Sequence, residues 1–230
     1  MSSFIKDEKG ESWMINENGN KVKLGTTLSS TISNVVNIPK NEFEKVSWDQ
    51  FKKDSEKILL PYLKKWKVPL FRDFDDNEKL FKETYDAITL PRRSTKGSAG
   101  YDFYIPFDGI PLYPGESVII PTGIKMQLIS GYFLGIYPRS SYGFKYKMRL
   151  DNTVGIIDSD YYNNSDNEGH IMIKVTCETL PPFDLGVGYP LLYMDRKSKF
   201  AQGIIMPYGT TYNDNPCDNE RTGGIGSTGK

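Results

Sequence analysis

The chain has 230 residues and sets 29 Lys and Arg against 29 Asp and Glu, a balance that excludes a broad basic surface for nucleic acid and leaves any anionic substrate to local cations. No apolar run reaches the ~20 residues of a membrane span, and Met1 to Glu8 lacks a signal peptide's apolar core, so a soluble, cytoplasmic protein with no nucleic-acid or membrane partner is expected. Cys177 and Cys217 stand at no metal-type spacing and read as reduced thiols, one on a buried strand, with no zinc site.

The length suits one good-sized domain and a small extension. Residues 1 to 40 are polar, but Met14-Ile15 and Val22-Lys23-Leu24 flank Asn18-Gly19, a pair that favours a tight hairpin turn. Between Ser47 and Trp66 the pattern turns helical. Trp48, Phe51, Ser55, Ile58, Leu59, Tyr62, Leu63 and Trp66 recur at three- and four-residue steps, and Ser47 with Gln50 forms a capping-box pattern. Pro61 is expected to kink this helix or to begin a second one. The aromatic stripe reads as core packed on the main domain, with a partner-binding face as the alternative. Asp73 to Glu78 reads as a solvated turn before another helix, and its acidic spacing fits no calcium loop.

From Tyr85 onward, short β-branched and aromatic runs alternate with Pro and Gly turns, for example Ser117 to Pro121, Tyr132 to Ile136, His170 to Thr176 and Gly203 to Met206. Many short strands at this spacing point to an all-β sandwich or barrel-like domain. Five segments within it carry chemistry: Gly97 to Phe103, with Asp102; Tyr137-Pro138-Arg139-Ser140-Ser141; Asn152 to Tyr161, with Gly155-Ile156-Ile157-Asp158; Phe200-Ala201-Gln202-Gly203; and the glycine-rich tail Arg221 to Lys230. Each is ambiguous alone. Asp102 suits a turn as well as a hydrated cation, Asp158 a turn as well as a general base, and the tail a frayed end as well as a phosphate wrap.

Together and in order, the five segments resemble the five motifs of the trimeric dUTP pyrophosphatase (dUTPase) family, over about residues 85 to 230. The resemblance implies a dUTP diphosphatase that releases dUMP and pyrophosphate, built as an all-β, jelly-roll-like domain at 85–220. A partly helical N-terminal extension at 1–80 and a phosphate-binding C-terminal arm at 221–230 complete the chain, and the implied assembly is a homotrimer with shared sites. It also implies roles. Asp158 activates the attacking water; Asp102 holds Mg2+ through water; Arg139, Ser140, Ser141 and Gln202 meet the phosphates. Asn152, Gly155 and Ile157 belong to the substrate site, with the Asn152 amide reading uracil and Tyr161 packing under the deoxyribose. The tail contributes Arg221, Ile225, Gly226 and Ser227.

Three departures from the family pattern stand out. Ile225 replaces a common Phe, at a cost of ~1 kcal/mol in base stacking. The tail is one residue shorter between Arg221 and Gly223-Gly224, and Tyr162 to Glu168 extends the third motif. The related dCTP deaminases place a catalytic glutamate where this chain has Lys174, which cannot shuttle the proton. A nucleotide-sensing or protein-binding module on the same fold is the non-enzyme alternative, and dUTP turnover separates the two.

Overall fold

On either side of Asn18-Gly19 the chain pairs as the sequence suggests. β1 (Ser3–Lys6), β2 (Ser12–Ile15) and β3 (Lys21–Lys23) form an antiparallel meander in which Ile15 faces Lys21. The computed structural model describes these three strands by their backbone, and residues 40–67, 77–178, 192–216 and 223 in full. The meander belongs to one compact unit, residues 1–38; residues 39–230 form a second.

The second unit begins with β4 (Glu42–Lys45), α1 (Trp48–Asp54), a π-helical segment (Ser55–Leu59), α2 (Leu60–Lys65) and α3 (Asn77–Asp86). The sheet strands follow: β5 (Arg92–Arg93), β6 (Tyr101–Tyr104), β7 (Ile110–Leu112), β8 (Ser117–Pro121), β9 (Ile124–Gln127) and β10 (Tyr132–Pro138). Then come α4 (Ser140–Tyr146), β11 (Met148–Leu150), β12 (Gly155–Ile157), β13 (Met172–Cys177), β14 (Leu192–Met194) and β15 (Lys199–Pro207). Every pairing of these named strands is antiparallel. The main sheet has the order β12-β10-β15-β6-β5, beside a smaller β11-β13-β8 sheet and the pairs β14-β7 and β4-β9. This is the all-β architecture expected of the chain.

The helical stripe of residues 48–65 supplies core to that architecture. Phe51, Leu59 and Leu63 are fully buried, and Phe51 stacks on Phe107 at 5.7 Å while Phe81 meets the same ring edge-on. At ~2 kcal/mol for each buried side chain, the three contribute about as much as a typical domain's net stability. The helix runs on through Pro61, Leu59 and Leu60 both keeping helical backbone angles, and the π-helical segment just before it accommodates the missing N–H. Ser47 caps α1 by accepting from Gln50 N at 3.1 Å. The return bond of the capping box is not made by Gln50, whose amide goes to Asp54; Glu168 takes that place and accepts from Ser47 N at 2.9 Å.

Cys177 is buried as expected, its thiol pushed up to about 11 by burial and by Glu178, while Cys217 lies outside the described residues.

Candidate active site

Three of the expected site residues meet on the main sheet. In the β15–β6 register Gln202 stands directly opposite Asp102, and in the β10–β15 register it stands opposite Tyr137, so the three form one row across adjacent strands. Arg139 follows the end of β10 and turns its guanidinium onto this row, Nη1 lying 2.8 Å from Asp102 Oδ1. Lys199 Nζ stands 3.0 Å from Asp102 Oδ2, which also accepts from Ser94 Oγ at 2.5 Å. Burial pushes the Asp102 carboxyl up, but the Ser94 and Lys199 hydrogen bonds and the Arg139 charge outweigh it and hold the group below the usual carboxylate value. At Gly100 a Cβ would stand 2.6 Å from Gln202 Oε1 and displace that amide from its place beside Asp102. Ser140 and Ser141 open α4 and are exposed.

The third segment lies elsewhere in the same chain. β12 pairs with the middle of β10 along its other edge, Gly155 facing Ile136 and Ile157 facing Leu134, and a Cβ on Gly155 would press on Ile136 at 3.1 Å. Asp158 follows β12 and precedes the single 3-10 turn Ser159–Tyr161, in a cleft lined with it by Phe133, Ile156 and Tyr208. Arg139 is six residues along β10 from Phe133. At ~3.3 Å per strand residue the backbones of Arg139 and Asp158 are roughly 20 Å apart, although Gly155 lies close to the first group. Asn152 is exposed in the turn before β12, whereas Tyr161 is only 5% exposed and its hydroxyl is committed, donating to His170 O at 2.9 Å and accepting from Asn167 Nδ2 at 2.8 Å.

Arg221, Ile225, Gly226 and Ser227 lie outside the described residues. Ser94 and Lys199, which clasp Asp102, were not among the residues the motifs single out. Their only signal is a hydroxyl and a cation near two motif segments, which many surface residues share.

A metal held directly by side chains does not fit this donor set. Among the described residues there is no group of three His, Cys, Asp or Glu, and Asp102 is 1% exposed and paired with two cations. An outer-sphere role does fit. Asp102 Oδ1 is buried under Arg139 with no aligned hydrogen-bond donor, so it keeps an unused acceptor lone pair that a water on a hydrated ion would take once Arg139 turns to the phosphates.

The model of the dUTPase family matches residues 86–229. A deoxyuridine 5'-triphosphate nucleotidohydrolase of Lactococcus lactis subsp. lactis is 40% identical over 143 residues, covering 62% of this chain and 89% of that protein. One from Hahella chejuensis is 35% identical over 156 residues, covering 65% and 93%. Among solved structures, a dUTPase from Streptococcus mutans aligns at 34% identity over 53% of this chain and 88% of its own, with a TM-score of 0.46. With more than half of its length matched, and with Asp102 and Gln202 on one row of the sheet and Arg139 closing on Asp102, the chain belongs to the dUTPase family.

Proposed function

We propose that the protein hydrolyses dUTP to dUMP and pyrophosphate, in the cytoplasm, at sites shared between the chains of a homotrimer. The observation that carries the shared site is the divergence across the sheet: Arg139 turns its guanidinium to Asp102 on β6, on one side of β10, while Asp158 leaves β12 on the other side, beside Phe133. A neighbouring chain brings the missing half. Asp158 takes a proton from the water that attacks the α-phosphorus; the new P–O bond forms as the α–β bridging bond breaks, and pyrophosphate leaves. Arg139 neutralises the phosphates, because a guanidinium has five N–H donors and its contact with Asp102 leaves others to use. Gln202, Ser140 and Ser141 add donors, and the tail's Arg221, Gly226 and Ser227 close over the phosphates. Asp102 would hold a hydrated Mg2+ through its water, and the ion would lower the charge on the leaving pyrophosphate.

Asn152, Gly155, Ile157 and Ile225 surround the base, and the Tyr161 ring excludes a 2′-hydroxyl. Deamination is disfavoured by Lys174, whose ammonium is 2.7 Å from Asp151 Oδ2. The test is pyrophosphate release from dUTP, UTP, dTTP and dCTP with and without Mg2+. Selective turnover of dUTP is expected; equal turnover of UTP removes Tyr161 from sugar selection, and none with dUTP overturns the reading.

A further inference from the structure

The segment that carries Asp158 and Tyr161 is held in place from outside the region that matches the family. His170 is fully buried, and its two ring nitrogens are both engaged: Nε2 accepts from Gly123 N at 2.7 Å, which leaves the proton on Nδ1 to be donated to Asp54 Oδ2 at 2.7 Å. Asp54 lies on α1, is 5% exposed, and receives a second bond from Gln50 Nε2 at 2.7 Å. The His170 carbonyl is the acceptor for the Tyr161 hydroxyl at 2.9 Å, and Asn167 Nδ2 bridges the same two groups at 2.8 and 3.4 Å. Tyr161 N in turn donates to Asp158 O at 3.1 Å across the single turn that separates them. A chain of buried or half-buried polar contacts therefore runs from a helix at residues 48–54 to the proposed general base.

The flanks of the same loop are fastened to the same stretch. Glu168 accepts from both Ser47 N and Ser47 Oγ, Tyr162 Oη donates to Glu44 at 2.9 Å, and Lys53 Nζ donates to Asp166 O at 3.3 Å. Residues 44–54 precede the family match at 86–229. The Tyr162 to Glu168 segment, which extends the third motif, is thus bonded to a stretch that also lies outside the family match.

We propose that Asp54 is a positioning residue for the nucleotide site: by orienting His170 it fixes the carbonyl that holds Tyr161, and through the Ser159–Tyr161 turn it sets the place of Asp158. This rests on the reading that Asp158 and Tyr161 serve dUTP hydrolysis. Buried polar networks fix geometry because an unmatched partner is costly, and an ångström of misplacement at a reacting group is enough to slow the chemistry.

The experiment compares wild type, Asp54→Ala and Asp54→Asn in the full chain, measuring kcat and KM for dUTP and UTP well below each variant's Tm. Asp54→Ala is expected to lower kcat for dUTP about 10- to 100-fold and to narrow the preference over UTP. Asp54→Asn keeps an acceptor oxygen for Nδ1–H and is expected to restore most of both. If Asp54→Ala does not fold, Asp54→Ser, whose hydroxyl is too short to reach Nδ1, makes the same comparison with a smaller void. A folded Ala or Ser variant with wild-type kcat and an unchanged dUTP-to-UTP ratio overturns the proposal, and so does an Asn variant as impaired as Ala. Asp158→Ala is run alongside: its inactivity with a normal Asp54→Ala sinks the positioning role alone, whereas an active Asp158→Ala sinks the assignment of the general base.

Discussion

The two halves of the site are built differently. In the Asp102, Arg139 and Gln202 half, strand register sets Asp102 opposite Gln202, Arg139 closes on Asp102 from just past β10, and the buried carboxylate is balanced by fixed cations. The Asp158 and Tyr161 half stands on a turn at the end of a three-residue strand, and loop contacts and a helix from elsewhere in the sequence hold it. Phosphate binding can rely on a sheet, because charge neutralisation tolerates small displacements. Water activation cannot, and the proposed general base is held by a scaffold that precedes the matched region.

The sharpest way to break the comparison is Asp158→Ala, expected to lower kcat by about 10²- to 10⁴-fold while calorimetry still finds nucleotide bound, since the phosphate contacts lie in the other half. Normal turnover would leave the second half without a catalytic part. Next is complementation. Asp158→Ala chains and Arg139→Ala chains should each be inactive, yet every mixed cyclic trimer contains one site with both residues intact. Random mixing makes about three-quarters of trimers mixed, so about a quarter of wild-type activity should return on co-refolding. Verified mixed trimers that stay inactive would put both residues in one chain's site.

Lys199→Met probes the first half alone. It removes one of the two cations on a nearly inaccessible carboxylate and should destabilise the protein by about 1–3 kcal/mol, read as a lowered urea midpoint, with no change in the preference for dUTP over UTP. A changed preference would mean that the halves are coupled within a chain.

The smallest effect concerns pH. Burial pushes the Asp54 carboxyl up, and the bonds from His170 and Gln50 more than reverse this, so its folded value lies below the ordinary one. A depressed carboxylate contributes stability above its unfolded value near 4 and loses it as pH falls through the folded value. The stability gap between wild type and Asp54→Asn should therefore be largest near neutrality and close progressively below about pH 4, by urea titration at stepped pH. A gap that widens toward acid would show that Asp54 is not held as a carboxylate.

Much of the first half could be read from the chain, since Asp102, Arg139 and Gln202 each sit in a short contiguous motif. Their partners could not. Whether Lys199 reaches Asp102 depends on the strand register and on the irregularity between Lys199 and Ala201, which no local pattern encodes. The helical stripe was legible because its period is intrinsic, but the π-helical segment that carries it past Pro61 was not. The Asp54–His170 bond joins residues 116 positions apart, a pairing that no local pattern in the chain encodes.

The aromatic composition of the helical stretch also decides what light can report. The chain's three tryptophans, Trp13, Trp48 and Trp66, all precede residue 86, and Trp66 lies flat on Tyr113 at a centroid distance of 3.6 Å. Indole emission therefore senses the residues before the catalytic sheet and one seam where they touch it, with no tryptophan in the matched region. A fluorescence melt follows the loss of that seam, while far-ultraviolet dichroism follows the strands. Coincident curves would mean that helix and sheet come apart in one step, and an earlier fluorescence transition would mean that the support of Asp158 lets go first.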